Sequence, residues 1–363
     1  MARIEHVETR LFRVPLDEVL SDAKHGDHTH FELITVQIAT SDGLEGTGYS
    51  YTGGFGGHAI KAMIEHDMAP ALLGADVEPV EDIHDALQWQ VHYVGRGGIA
   101  SFAISAIDIA LWDLRGKREG APLWAMAGGR SARARCYRGG IDLGFDIDKL
   151  VHTVRGWVDD GYEAVKIKVG RPELSDDLAR ATAVRDVLGG ARAFMVDANY
   201  GLDVAGAIAA AQSFAPLKLT WFEEPIEPDD FAGYGAIADA TAMPLAMGEN
   251  LHTLHEFRHA LAHSKLSFMQ PDSGNCGGIT TFLRVAKLCA EAGIEVCSHG
   301  MQELNVSLVG AQPNAGWVEV HSFPIDRYTT RPLVRDGLHA IAPDTPGTGV
   351  AFEWDALAPF MGP

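Results

Sequence analysis

From about residue 133 onward, short apolar runs ending in a charged or polar side chain alternate with longer stretches of helical spacing. The runs predicted as strands are 135–143, 164–169, 194–199, 220–224, 245–249, 268–272, 295–299 and 317–321. Segments such as 150–160, 176–188, 203–214 and 279–292 fill the gaps as helices. Parallel strands need a crossover of a dozen or more residues, and a helix is the usual one. Eight strands with helical crossovers, recurring every ~25 residues, read as a (β/α)8 TIM-type barrel.

The residues ahead of this rhythm have a different texture. Segments 4–14, 31–40 and 44–51 alternate as antiparallel strands do, and 58–73, 80–93 and 99–116 carry helical spacing. They predict an α+β domain over 1–130, ahead of a barrel over 131–330. Two turn-rich loops, 21–30 and 52–57, lie between the elements, and a Pro- and Gly-containing tail, 331–363, is expected to return to the first domain.

Composition narrows the partners. Against 49 acidic side chains stand 29 basic ones, a formal net charge of −20. Nucleic acid and anionic membrane surfaces both select Lys and Arg, so neither is an expected partner. No apolar run reaches the ~18 residues of a membrane span, because Asp108 and Asp113 interrupt the nearest candidate. The N-terminus alternates charge with apolar residues, unlike a signal peptide. The four cysteines form no C-x-x-C pair and fit a reducing, cytoplasmic setting.

Seven consecutive predicted strands end in ionisable groups. In order they are Lys166 and Lys168 (K-I-K), Asp197 (V-D-A-N), Glu223 (F-E-E-P), Glu249 (G-E-N), Asp272 (Q-P-D), His299 (S-H-G) and Glu319 (V-E-V). So many charges are costly unless they converge, and strand C-termini do converge at the mouth of a barrel. Asp197, Glu223 and Glu249 offer only hard oxygen donors, which select Mg²⁺ over zinc. Lys166 and Lys168 project from one face of their strand, where mutual repulsion is expected to lower a lysine pKa and free a base. Asp272 can orient and charge the His299 imidazole, a second acid/base. Glu319, if protonated, could donate a hydrogen bond to a developing enolate; the alternative is an ion pair with an arginine. Asn199 either caps the turn after its strand or contacts substrate.

This set resembles the enolase superfamily, in its mandelate racemase/muconate lactonizing enzyme branch, with the K-x-K, Asp/Glu/Glu, Asp-His and final Glu pattern of the mandelate racemase subgroup. The first domain resembles that family's capping domain, whose mobile loops close over the site. The resemblance implies Mg²⁺-dependent removal of the proton α to a sugar-acid carboxylate. Lys168 and His299 would act from opposite faces, Asp272 would orient His299, and Lys166 and Glu319 would stabilise the enediolate. Loops 21–27, 92–98, 275–278 and 323–326 are similar to those of family cycloisomerases acting on an anhydro sugar acid, which implies β-elimination to a 2-keto-3-deoxy acid. Acid-sugar dehydration, racemisation and epimerisation use the same machinery and stay open. The resemblance adds Lys24 and His25 as substrate-loop residues, and implies a homo-oligomer. A histidine cluster at His25, His28 and His30 is weighed as a metal site, with a solvated loop as the alternative. His255-Glu256-Phe257-Arg258-His259 spells the zinc-hydrolase H-E-x-x-H, but Ala262 and Lys265 occupy the positions that extend it in metzincins.

Overall fold

The computed structural model describes residues 2–362. Its first layer is an antiparallel sheet in the order β1 (Ile4–Asp22), β2 (Gly26–Thr40), β3 (Glu45–Thr52). One face packs on the helix Ile99–Glu119, and closeness there depends on glycine: a Cβ at Gly46 or Gly48 would run into the carbonyl oxygens of Ala110 and Ala106. That helix ends with Lys117 and Arg118 in its last turn and Gly120 in the left-handed region (φ 67°). The two acids that interrupt its apolar run are buried structural ties. Asp113 accepts the backbone N–H groups of Thr47 and Thr348, both at 2.9 Å. Asp108 accepts from the Thr280 N–H (2.9 Å) and hydroxyl (2.6 Å), docking the helix on the barrel helix Gly278–Ala292.

Segment 21–30, predicted as a loop, is the tip of the β1–β2 hairpin, paired through Ser21↔Asp27 and Asp22↔Gly26. Its polar sequence hid the strands because the side chains it turns inward, Asp22 and His28, are polar and leave no apolar alternation. The turn is held instead by Asp22, whose carboxylate accepts the N–H groups of Lys24 (3.0 Å) and His25 (2.7 Å).

The second layer is the barrel. Its parallel strands are β4 (Arg133–Gly139), β5 (Ala164–Lys168), β6 (Ala193–Asp197), β7 (Trp221–Glu223), β8 (Leu245–Met247), β9 (Phe268–Met269), β10 (Glu295–Val296) and β11 (Trp317–Val320). They pair in sequence, β11 returns to β4, and a Val296↔Ala315 bridge closes the remaining gap. Tyr137, Ala164, Met195, Trp221, Ala246, Cys297 and Trp317 form an interior cluster, so the barrel is filled. Among the described residues no helix is long and apolar enough to cross a membrane.

The tail divides its contacts. A hairpin of β12 (Val334–Asp336) and β13 (His339–Ile341) adds to β4 of the barrel, a pairing not expected from the sequence. Beyond it, Leu123 N–H bonds to Gly347 O (2.9 Å) and Gly362 N–H to Leu11 O (2.7 Å), both on the first layer.

Candidate active site

Strand register sets the level of the central groups. Lys168 pairs with Asp197 across β5 and β6, and Asp197 with Glu223 across β6 and β7, so all three meet at the C-terminal mouth. Glu249, Asp272 and His299 follow just beyond the ends of β8, β9 and β10. The chain turns sharply there: Asn199 and Tyr200 (φ 37° and 50°), Glu224 (35°) and Met301 (43°) all adopt left-handed backbone, a strain that concentrates where function requires it.

Asp197, Glu223 and Glu249 each bring a carboxylate oxygen within 4.8 Å of the others. Lys166 is fully buried; its ammonium contacts Glu223 and lies 3.3 Å from Asp197 and 3.0 Å from Glu319. Lys168 Nζ lies 2.6 Å from the same Asp197 oxygen. The second oxygen of Glu223 accepts from Trp221 Nε1 and Gln270 Nε2, each at 2.7 Å, which fixes its rotamer. Asp142 accepts the Lys168 backbone N–H (3.1 Å). A Cβ at Gly139 would collide with the Glu319 carboxylate, so glycine makes room for that side chain.

The charges correct two expectations. Burial pushes both lysines down, and Lys166 repels Lys168, but the surrounding carboxylates outweigh this and hold both well above the ordinary lysine range. Burial would raise Glu319, yet Lys166, His299 and their neighbours hold it well below its usual range, so it is an anion and not a hydrogen-bond donor. Pair spacing along a strand is visible in sequence; the carboxylates facing the pair from other strands are not. Glu223 is pushed up to about 8 by burial and by the acids around it, against the pull of Lys166. Glu224, also fully buried, accepts from Asn250 Nδ2 at 2.7 Å and is pushed far up by burial beside Glu249, Asp197 and Glu223.

On the other side of the mouth, His299 Nδ1 lies 2.8 Å from Asp272 Oδ2, and its Nε2 3.3 Å from Glu249. Burial opposes the charged ring, but Glu249, Asp272 and Glu319 raise its pKa to about 10. Tyr51, from β3 of the first layer, donates to Asp272 Oδ2 at 2.8 Å and lies 3.2 Å from His299 Nδ1. Sequence gave no signal for Tyr51, which reaches the dyad only through docking of the two layers. Nor does any motif mark His321, two residues after Glu319 in the same alternation.

Part of this set borders a cavity of about 490 Å³, lined by Lys168, Glu249, Asp272, His299 and Asn199 from the barrel and by His25, Tyr51 and Phe55 from the first layer. Of the two predicted loop residues, His25 lines it, held by Asp22 (2.9 Å) and Tyr200 (2.6 Å). Lys24 does not; its ammonium pairs with Glu227 at 2.9 Å. His28 joins His25 on Asp22, while His30 turns to Arg13 (2.9 Å), so the three histidines do not converge. In the H-E-x-x-H segment His255 and His259 are exposed, and Glu256 completes a helix capping box with Thr253. The donor chemistry at Asp197, Glu223 and Glu249, two buried carboxylates and a partly exposed third with no sulfur or imidazole, fits a hard divalent cation.

The chain belongs to the mandelate racemase/muconate lactonizing enzyme family of the enolase superfamily. The N-terminal domain model of that family matches residues 14–128, and the enolase C-terminal domain-like model matches 149–356. Over 355 residues the chain is 44% identical to 3,6-anhydro-alpha-L-galactonate cycloisomerase of Streptomyces coelicolor, covering 98% of each protein. It is 35% identical to L-talarate/galactarate dehydratase of Salmonella typhimurium, over 92% of this chain and 85% of that one. Among solved structures it superposes on a racemase from Streptomyces coelicolor A3(2) with bound magnesium (TM-score 0.96, 42% identity, 99% and 100% covered). It also superposes on L-talarate dehydratase from Polaromonas sp. JS666 complexed with Mg and L-glucarate (TM-score 0.94, 33% identity, 100% and 98% covered).

Proposed function

We propose that this protein removes the proton α to a sugar-acid carboxylate and expels the oxygen on the β carbon, giving a 2-keto-3-deoxy acid, with 3,6-anhydro-α-L-galactonate as the leading substrate. The observation that carries this reading is the placement of Lys168 and His299 on one cavity beside three clustered carboxylates. In the proposal Asp197, Glu223 and Glu249 hold Mg²⁺. When bound, the ion supplies positive charge that makes the α-proton more acidic. Once Asp197 and Glu249 hold the ion they no longer hold Lys168 charged, and the neutral amine takes the proton from one face. Lys166 supplies charge beside the substrate carboxylate, and Glu319 holds Lys166 in place. His299, charged through Asp272, gives its proton to the departing oxygen. When that oxygen is part of the substrate's own ring, the leaving group stays attached and the net change is isomerisation. His25 and Asn199 contact the sugar hydroxyls, and Lys24 closes the hairpin tip through Glu227.

Acid-sugar dehydration is the second reading, supported by the dehydratases among the relatives; a racemase or epimerase would return the proton to the same carbon. Self-association belongs to the proposal, supported by the exposed Trp89, Tyr93 and Val94 at one helix end. A cytoplasmic setting does too, supported by four free, buried cysteines. The test is keto-acid formation with Mg²⁺ from the anhydro sugar acid, galactarate, talarate and common aldonates. The leading reading predicts the highest kcat/KM on the anhydro acid. Preference for an open-chain acid selects the dehydratase, and no turnover of any of them overturns both.

A further inference from the structure

Beside His299 the cavity carries a second imidazole that the two-base scheme leaves unused. His321 follows β11, and its ring stands edge-on to His299 (centroids 5.2 Å, 69°) and to Phe323 (4.6 Å, 85°). The Phe323 backbone N–H donates to His321 Nδ1 at 3.2 Å. A backbone amide cannot accept, so Nδ1 must present its lone pair, and the neutral ring carries its proton on Nε2. Among the described residues no protein group accepts from that Nε2–H, although the side chain borders the substrate cavity. Burial disfavours the charged ring and, together with His299, Lys168 and Lys166, outweighs the opposing pull of Glu319.

We propose that His321 is a fixed, neutral donor to the oxygen on the β carbon, so that its Nε2–H and the His299 proton converge on one oxygen. The proposal rests on the reading in which His299 protonates that oxygen. Ring nitrogens of the two histidines come within 4.8 Å of each other. With hydrogen bonds of ~2.9 Å, an oxygen between them subtends up to about 110°, close to the angle between its lone pairs. An ether oxygen accepts twice and donates nothing, which suits two donors; a hydroxyl brings a hydrogen that finds no acceptor on these two rings. First the α C–H bond breaks, its proton goes to Lys168 and its electron pair is held as the enediolate; that pair then forms the Cα=Cβ bond. The Cβ–O pair leaves with oxygen, which takes the His299 proton. His321 keeps its own proton throughout and biases the site toward a ring ether as leaving group.

Two substitutions separate this role from packing. In His321→Asn the side-chain oxygen still accepts from Phe323 N–H, but nothing stands at the Nε2 position. In His321→Gln an amide N–H reaches it. With the anhydro sugar acid in D₂O, His321→Asn is expected to lower elimination by about ten- to hundred-fold, the range for a hydrogen bond to a developing charge. Deuterium should then appear at the α carbon of recovered substrate, because proton removal continues while departure of the oxygen slows. His321→Gln should stay within about fivefold of wild type. Wild-type elimination by His321→Asn, equal losses in both variants, or parallel loss of exchange and elimination would each overturn the proposal. Should His321→Asn fail to fold, NMR of the wild-type His321 ring decides: its Nε2–H should move downfield with an unreactive β-ether ligand and not with the β-deoxy ligand, and equal shifts refute it. If wild-type protein neither exchanges nor eliminates on any sugar acid, the proposed function itself fails, and this inference with it; an active wild type with an equally active His321→Asn refutes the inference alone.

Discussion

Replacing Asp272 by Asn keeps its shape and removes its charge, and the local hydrogen bonds dictate the outcome. Asp272 Oδ1 accepts the Gly274 N–H at 2.6 Å, so in the variant that position must remain oxygen. The new NH₂ group therefore replaces Oδ2, which now faces His299 Nδ1 and the Tyr51 hydroxyl, both at 2.8 Å. An amide N–H there forces His299 Nδ1 to accept, which traps a neutral Nε2–H ring in place of the imidazolium. Loss of the charge-assisted bond alone costs about 1.5–3 kcal/mol, or roughly ten- to 150-fold. Loss of a strong acid for the departing oxygen brings the expected fall in kcat to ~10²–10⁴-fold. The α-proton exchange that Lys168 supports should fall much less, since that face is untouched. The assay is kcat for keto-acid formation beside α-deuteration of recovered substrate. Elimination within threefold of wild type would refute the dyad's role, as would exchange and elimination falling together.

The remaining predictions concern metal, pH and docking. EDTA should abolish turnover and Mg²⁺, not Zn²⁺, restore it; full activity after exhaustive chelation would remove the metal from the scheme. Because burial and the acids around it raise Glu223, and only its ionised form can ligate, Mg²⁺ uptake should be linked to proton release and strengthen as pH rises. Calorimetry in buffers of different ionisation enthalpy reads this, and uptake without proton release at pH 7 contradicts it. His299 is raised from its ordinary 6.5 to about 10, so its contribution to stability is complete below 6.5 and is lost as pH climbs through 10; a ring titration near 6.5 by NMR would contradict the site electrostatics. Gly300→Ala should destabilise the protein by ~1 kcal/mol or more, because φ is 49° and the new Cβ would press on the Tyr51 hydroxyl; an unchanged melting temperature would dismiss that contact. Glu256→Gln should leave turnover nearly intact, since glutamine serves the same capping box, whereas a zinc-hydrolase role demands a large loss.

The central chemistry was legible because the barrel makes a one-dimensional pattern into a ring: each strand delivers its last residue to the same face, so Asp197, Glu223, Glu249 and the lysines could be grouped without coordinates. Their protonation could not be read, since it depends on groups facing one another across the ring. Lys166 is the clearest case: neighbouring Lys168 suggested a lowered pKa, but contacts with Glu223, Glu319 and Asp197 decide the opposite. Tyr51 was invisible for a related reason. It meets Asp272 across 221 positions of sequence, through packing between layers that no local period encodes. The hairpin tip at 21–30 carries no strand pattern because backbone pairing and Asp22, not apolar alternation, hold it together.

Incubation of wild-type enzyme, Mg²⁺ and the anhydro sugar acid in D₂O, followed by NMR of the product, tests the central claim most directly. Proton removal at the α carbon and expulsion of the β-oxygen predict a 2-keto-3-deoxy acid carrying solvent deuterium at C3 and no hydrogen at C2. A product that keeps its α-hydrogen, or opens its ring without deuterium at C3, would contradict the account.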